Sequence, residues 1–312
     1  MSKYIGIDLG GTKLLIGQVE SDGTVSCVKR YESGYLTQRQ ALEVILKSLD
    51  DYFKTEWNSD QKPVAIGIGV VGRVNANDGK WYQIDISRNE PLNLGQEISN
   101  VYGVPCYVDN DVKSATKAEL AWGIGKTTNN FVYINIGTGI ASGSVLDGVL
   151  VRGGNSNAGE TGHTTSGVNL GLTCVCGRQD CVELIASGSG MNVCARELRG
   201  KYQTRLSIPE DGTPVKVQDI VALQKEGDEL CSVLIENAST AISNLIMDQI
   251  RSFDPEAVVL GGGVITNDVI FDKVLQKVND HTARFVTYGI TRTTLDPNYA
   301  GLMGAAAVAL KA

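Results

Sequence analysis

Between His163 and Glu183 the chain places one imidazole and three thiols: His163, Cys174, Cys176 and Cys181. One histidine and three cysteines complete a tetrahedral shell for a structural zinc and leave no open position for catalysis. Three of the chain's 7 cysteines and one of its 2 histidines fall in this stretch, which argues against a chance cluster of buried thiols. Glu160 and Glu183 flank these ligands. A closed metal site would therefore fix two carboxylates in space and organise a binding pocket.

A second chemistry is written in glycine turns. Asp8-Leu9-Gly10-Gly11-Thr12-Lys13 ends a strand-like run with two glycines, a hydroxyl and an ammonium. Backbone N–H groups at such a turn approach an anion closely, so Gly10, Gly11, Thr12 and Lys13 suit terminal phosphates. Asp8 suits a hydrated Mg²⁺, which is held by few protein carboxylates and by water and phosphate. A tight hairpin that needs glycine only for its turn is the plain alternative. The device recurs at Gly137-Thr138-Gly139, and a third strand-to-glycine turn follows at Gly261-Gly262-Gly263. Three such turns favour a nucleotide.

Two decoys are set aside. Gly125-Lys126-Thr127 ends like a P-loop, but Leu120 stands where that motif requires glycine. Gly67-Ile68-Gly69-Val70-Val71-Gly72 matches G-x-G-x-x-G, yet the polar segment after it does not start a helix, as a dinucleotide site requires.

The elements that must position these residues follow from periodicity. Lys3–Leu9, Leu14–Val19 and Thr24–Tyr31 read as an antiparallel meander, with Ser21-Asp22-Gly23 as a hairpin turn. Gln38–Phe53 spaces Leu42, Ile45, Leu46 and Leu49 as an amphipathic helix. Val64–Val70 and Pro105–Val108 are expected strands, and Lys113–Trp122 a helix. Phe131–Ile136 and Ile140–Leu146 repeat the opening pattern, which predicts a duplicated lobe with a cleft between the copies. Gly301–Leu310 is an alanine-rich helix expected to cross back to the first lobe.

At 312 residues and 42% apolar content the chain has room for two packed lobes. Its net charge is 28 − 35 = −7 without a basic run, which argues against nucleic acid as the main partner. There is no run of about 18 apolar residues, so no membrane span is expected. A strand-like segment starts at once, leaving no room for a signal peptide. Unevenly spaced cysteines suit a reducing cytoplasm.

Together these motifs resemble the ROK family of sugar kinases and related repressors, within the actin-like, hexokinase-type ATPase superfamily. D-L-G-G-T-K at 8–13 is similar to the family's first phosphate segment, I-G-T-G at 136–139 to its second and L-G-G-G at 260–263 to its adenosine segment. V-D-N-D at 108–111 resembles the segment bearing the catalytic aspartate, and E-T-G-H at 160–163 with C-V-C-G-R-Q-D-C-V-E the family's metal signature. The resemblance implies an α/β, two-lobed actin-like (ribonuclease H-like) fold. Residues 1–114 with 297–312 would form the small lobe and 115–296 the large one. It implies ATP, Mg²⁺ and a structural Zn²⁺, a homodimer, and Asp111 as the general base that takes a proton from a sugar hydroxyl. Asn110, Glu160, His163 and Glu183 match the family's sugar contacts, with Asn89 in a further loop. His163 would bind zinc through one nitrogen and face the sugar with the other. Asp109, two positions away, is expected to face the opposite side from Asp111 if this segment is an extended strand.

Repressors of the family usually carry a helix-turn-helix ahead of the first phosphate segment, whereas seven residues precede Asp8, which favours a kinase. Glucose or a close relative, phosphorylated at C6, is the expected substrate. N-acetylmannosamine, N-acetylglucosamine, fructose, allose and amino sugars are the alternatives, and a non-catalytic sugar sensor is the rival of another class. Departures from the family pattern are Val71-Gly72-Arg73 for a proline-glycine pair, Lys113 for an asparagine, Asp180 for a glycine and Ala141 in the second phosphate loop.

Overall fold

Alternation of apolar side chains builds the first sheet. Strands β1 (Lys3–Leu9), β2 (Lys13–Glu20) and β3 (Val25–Glu32) form the expected meander in a computed structural model that describes residues 2–35 and 37–310. Helix α1 (Gln38–Thr55) starts where the Thr37 hydroxyl accepts from Gln40 N–H at 3.2 Å, and it buries Ala41, Leu42, Ile45 and Leu49. Strand β4 (Ile66–Val70) is buried at every position, as a central parallel strand should be. The short pair β5 (Arg73–Asn75) and β6 (Lys80–Gln83) follows, then α2 (Leu94–Tyr102), β7 (Cys106–Asn110) and α3 (Asp111–Trp122). The sheet runs β3-β2-β1-β4-β7, with β1, β4 and β7 parallel.

The second sheet repeats this order. It runs β10-β9-β8-β11-β12, with β8 (Phe131–Ile136), β9 (Ile140–Leu146), β10 (Val149–Leu150), β11 (Ala257–Gly261) and β12 (Ile290–Arg292). As β1 pairs antiparallel with β2 and leads into two parallel steps, β8 pairs antiparallel with β9 and leads into the parallel steps β8–β11 and β11–β12. Helices α4 (Val182–Ala186), α5 (Gly188–Glu197), α6 (Val217–Lys225), α7 (Glu229–Phe253), α8 (Asp268–Lys277) and α9 (Asp280–Ala283) accompany it. Helix α7 is long and apolar enough to cross a membrane by composition, but 61% of its most apolar window is buried within the protein. It is a core helix, capped by Asp228 and ended by Asp254 in the left-handed region.

The chain divides into two units. Unit 1 comprises 1–127, 150–158 and 294–312; unit 2 comprises 128–149 and 159–293. A division at 114/115 would cut through α3, which runs unbroken from Asp111 and packs on the terminal helix α10 (Ala300–Ala309). The start of α3 lies two residues ahead of the periodicity because Asn110 caps it.

Helix α10 returns to unit 1 and lies on β1 and β4. A Cβ at Gly67 would stand 1.9 Å from the Ala305 carbonyl oxygen, and one at Gly6 2.4 Å from that of Leu302. Gly67 thus serves helix packing, and Gly72 leads into β5. The G-x-G-x-x-G match has no helix to complete it.

Candidate functional site

Unit 1 carries its polar residues at the carboxyl ends of its parallel strands. Asp8 in β1 is in register with Gly69 in β4, and Gly69 with Asp109 in β7. Beyond Asp8 the chain turns through Gly10 and Gly11, where Gly10 N–H donates to Lys13 O at 2.9 Å and the Ser33 hydroxyl to Gly10 O at 2.8 Å. Gly11, Thr12 and Lys13 are exposed, and a Cβ on Gly11 would meet nothing within 4 Å. Neither Gly10 nor Gly11 has positive φ. Glycine here keeps space open and is not needed for the turn's handedness. Burial pushes the Asp8 carboxyl above the usual range, with Lys13 opposing. The carboxylate also lies against α10, where a Cβ on Gly301 would come 2.3 Å from its Oδ2.

Asp111 opens α3 directly after β7. Asn110 Oδ1 accepts from Val112 and Lys113 N–H at 3.1 and 3.2 Å, while its Nδ2 donates to Asp111 Oδ1 at 2.9 Å and Gly72 O at 3.1 Å. An amide has two donors and two acceptor sites, so these four bonds use its full capacity. Asn110, the residue expected to contact sugar, caps the helix and braces Asp111 in this structure. The partner carbonyl is aimed by Gly72, whose φ of 95° and close approach to Gln83 O exclude a side chain.

Asp109 does part from Asp111, but strand alternation is not the reason, since positions i and i+2 share a face. The strand ends at Asn110 and the helix begins. Fully buried, Asp109 takes the Arg152 guanidinium on both oxygens, at 2.9 and 2.6 Å. Tyr35 is buried in the same unit, edge-on to Trp81 with ring centroids 6.1 Å apart. Burial pushes its phenol up to about 12, Arg88 draws it down, and the charges of Asp111 and Asp8 raise it.

Unit 2 ties the second glycine turn to the His/Cys motif. Gly137 and Thr138 carbonyls accept from Gly188 and Ser189 N–H of α5 at 2.8 and 3.3 Å. Glu183 Oε2 accepts from Ile140 N–H at 2.8 Å, and a Cβ on Gly139 would lie 2.7 Å from that oxygen. Gly162 packs so tightly that its Cβ would stand 2.1 Å from Ile140 O. One oxygen of Glu183 thus braces the turn. In the third turn Gly262 adopts φ 92° against Ile136 O, which also accepts from Val264 N–H at 3.0 Å.

The ligand atoms of His163, Cys174, Cys176 and Cys181 all lie within 4.8 Å of one another. Cys176 and Cys181 sulfurs are 3.5 Å apart, and Cys174 Sγ is 3.5 Å from His163 Nδ1. Bonds of about 2.3 Å to sulfur and about 2.0 Å to nitrogen in a tetrahedron put S···S at about 3.7 Å and S···N at about 3.5 Å. The residues therefore fit a zinc ion, with Nδ1 as the ligand nitrogen and Nε2 left for another partner. Burial pushes the Cys181 thiol up to about 12, whereas the Arg178 backbone N–H lowers that of Cys176. A divalent cation would let both carry charge. Arg178 also donates to His163 O at 3.2 Å, fixing the loop across the cluster.

Asn89 is exposed and donates to Ile86 O at 3.3 Å in a loop tied by Asp85, whose carboxyl Arg88 holds well below the usual range. Glu160 is exposed at the entry to the His163 turn. Lys113 reaches Ser156 O at 3.1 Å, and Arg73 stacks 4.8 Å over the Tyr82 ring. Sequence reasoning missed Arg152, Tyr35 and the bracing role of Gly72. A lone arginine or tyrosine in a loop carries no spacing signal.

The ROK family profile matches residues 4–312. A glucokinase of Streptomyces coelicolor is 30% identical over 99% of this chain and 98% of its own length. An N-acetylmannosamine kinase of Haemophilus influenzae is 29% identical over 84% of this chain and 81% of that protein. Among solved structures, a ROK family transcriptional regulator, a homolog of the E. coli MLC protein, superposes with a TM-score of 0.85 at 25% identity. That match covers 99% of this chain and 78% of the regulator.

Proposed function

The chain belongs to the ROK family, and from that premise we propose that it transfers the γ-phosphoryl group of ATP to a hexose, at the C6 hydroxyl of glucose or a close relative. The observation that carries this reading is the placement of Asp111 in unit 1. A carboxylate braced by its own helix cap lies beside Gly69, whose Cβ would stand 3.8 Å from Asp111 Cα and which is in register with Asp8 ahead of the exposed glycine turn.

Asp111 accepts the proton of the attacking sugar hydroxyl. An ordinary aspartate, with a pKa of about 3.9, is a weak base. That suffices, because phosphoryl transfer is loose and depends mainly on positioning and charge stabilisation. The turns at Gly10–Lys13 and Gly137–Gly139 hold phosphates through backbone N–H groups, Thr12, Thr138 and Lys13, and Gly261–Gly263 takes the adenosine. Asp8 is the carboxylate for a hydrated Mg²⁺, which when bound neutralises charge on the β- and γ-phosphates. Glu160, Glu183 and His163 Nε2 address sugar hydroxyls, with Asn89 as a further contact. His163 Nδ1, Cys174, Cys176 and Cys181 hold one structural Zn²⁺ that orients these groups. Seven free thiols suit a cytoplasmic enzyme, and a homodimer is the assembly that goes with the family.

A panel of hexoses, N-acetylhexosamines and amino sugars in a coupled ADP assay tests the reading, with Asp111→Asn as control. Sugar-dependent ADP release that Asp111→Asn lowers by at least about 100-fold is expected. Unchanged turnover in that variant would remove the base assignment. The Haemophilus relative makes N-acetylmannosamine the second substrate to try. If no sugar accelerates ADP formation, a sugar sensor, the reading that the regulator's likeness favours, replaces the kinase.

A further inference from the structure

The segment Leu150–Ala158 is a strap: the chain leaves unit 2 after Val149, belongs to unit 1 for this stretch and re-enters unit 2 at Gly159. It closes on itself, with Ala158 N–H donating to Arg152 O at 3.1 Å and with Gly153 and Ser156 in the left-handed region at φ 72° and 56°. Two points of the strap grip the β7–α3 turn. Arg152 Nη1 and Nη2 fork onto Asp109 Oδ1 and Oδ2 at 2.9 and 2.6 Å, and Ser156 O accepts from Lys113 Nζ at 3.1 Å. Asn110 and Asp111 lie between those two points. Asp109 Oδ1 also accepts from Asn110 N–H at 2.9 Å, and Asn110 Nδ2 reaches Asp111 Oδ1 at the same distance.

We propose that Arg152 is a positioning residue for Asp111: its fork on Asp109, relayed through Asn110, fixes the orientation of the base carboxylate. The inference rests on the reading of Asp111 as the base. Stability alone gives little reason for the pair, since a buried ion pair is often replaced by packed apolar groups without loss. Orientation does, because a planar guanidinium with two parallel N–H···O bonds sets an angle that an ammonium cannot. The strap also makes the grip consequential: Arg152 O and Ala158 anchor the chain immediately ahead of Gly159 and Glu160.

Three variants test this by steady-state kinetics and thermal unfolding. Arg152→Lys keeps the charge and loses the fork. Its kcat should fall about 10- to 100-fold, the range of an ångström-scale misplacement, with KM for sugar and ATP and the unfolding midpoint near wild type. The double variant Asp109→Asn/Arg152→Met leaves no uncompensated buried charge, so it should fold and show the same loss. Arg152→Ala should regain kcat when millimolar guanidinium is added, a rescue that a purely structural role would not produce. Wild-type kcat in Arg152→Lys and in the double variant, or losses that follow the folded fraction, would overturn the proposal. Asp111→Asn separates the two readings: if it retains turnover the base assignment fails, and if it is inactive while Arg152→Lys is normal only the positioning role fails.

Discussion

Asp180 stands where the resembling signature has glycine, and reverting it should weaken the protein. The residue is in the left-handed region at φ 49°, which glycine adopts more easily. Yet its carboxylate, 5% exposed, accepts three backbone N–H groups: Leu170 at 3.1 Å and Gly171 at 2.9 Å on Oδ2, and Leu172 at 2.9 Å on Oδ1. These bonds shape the loop that runs into Cys174, and Asp180 itself precedes Cys181. A hydrogen bond to a charged group contributes about 1.5–3 kcal/mol. Three sharing one carboxylate, with part-exposed amides that water can recover, contribute about 4 kcal/mol together. Asp180→Gly returns about 1 kcal/mol of left-handed strain and loses a similar amount to backbone entropy in the unfolded chain. The net loss is about 3–4 kcal/mol, or an unfolding midpoint lower by roughly 6–16 °C for a unit of this size. Asp180→Asn, which tolerates the conformation but has a single acceptor oxygen, should fall between. Differential scanning calorimetry and the rate of zinc release to a chromophoric chelator measure both effects. An Asp180→Gly protein as stable as wild type, with unchanged metal release, would refute the reasoning.

Other outcomes follow from the same geometry. Metal analysis should find about one zinc per chain, and stripping it should lower sugar affinity; a folded, metal-free protein that binds sugar normally would contradict the organising role. Burial raises the Asp8 carboxyl, so any stability linked to its neutral form is present below its ordinary pKa and lost as pH rises through the folded value. Asp8→Asn should therefore raise the nucleotide-free unfolding midpoint near about pH 7, with a gain that fades toward about pH 4; a gain that persists in acid would count against this cause. Gly11→Ala meets open space and should leave stability unchanged while raising KM for ATP about tenfold, the effect of one weakened phosphate contact of about 1.4 kcal/mol. Gly162→Ala, by contrast, collides with the Ile140 backbone and should cost about 1–3 kcal/mol, read by chemical denaturation. Equal stability of the two variants would discredit the packing argument.

Local chemistry was legible from the sequence. The strands Lys3–Leu9, Phe131–Ile136 and Ile140–Leu146 follow from alternation, and the His163–Cys181 cluster from ligand types a few residues apart. Such features are encoded by neighbours along the chain, because period, turn and chelate ring are properties of short segments. Closing the fold decided the rest. Asp109 and Arg152 are 43 residues apart, as are Lys113 with Ser156 and Glu183 with Ile140, and nothing in the sequence distinguishes these cations and this carboxylate from solvated ones. The glycines of β1 and β4 gain their meaning from α10, which reaches them from the far end of the chain. The role of Asn110 as a helix cap and brace for Asp111 likewise shows only once its four hydrogen bonds are seen. Residue types therefore announced the strands, the glycine turns and the His/Cys cluster, while the partners that orient Asp109, Asp111 and Glu183 depend on which distant strands and helices pack together.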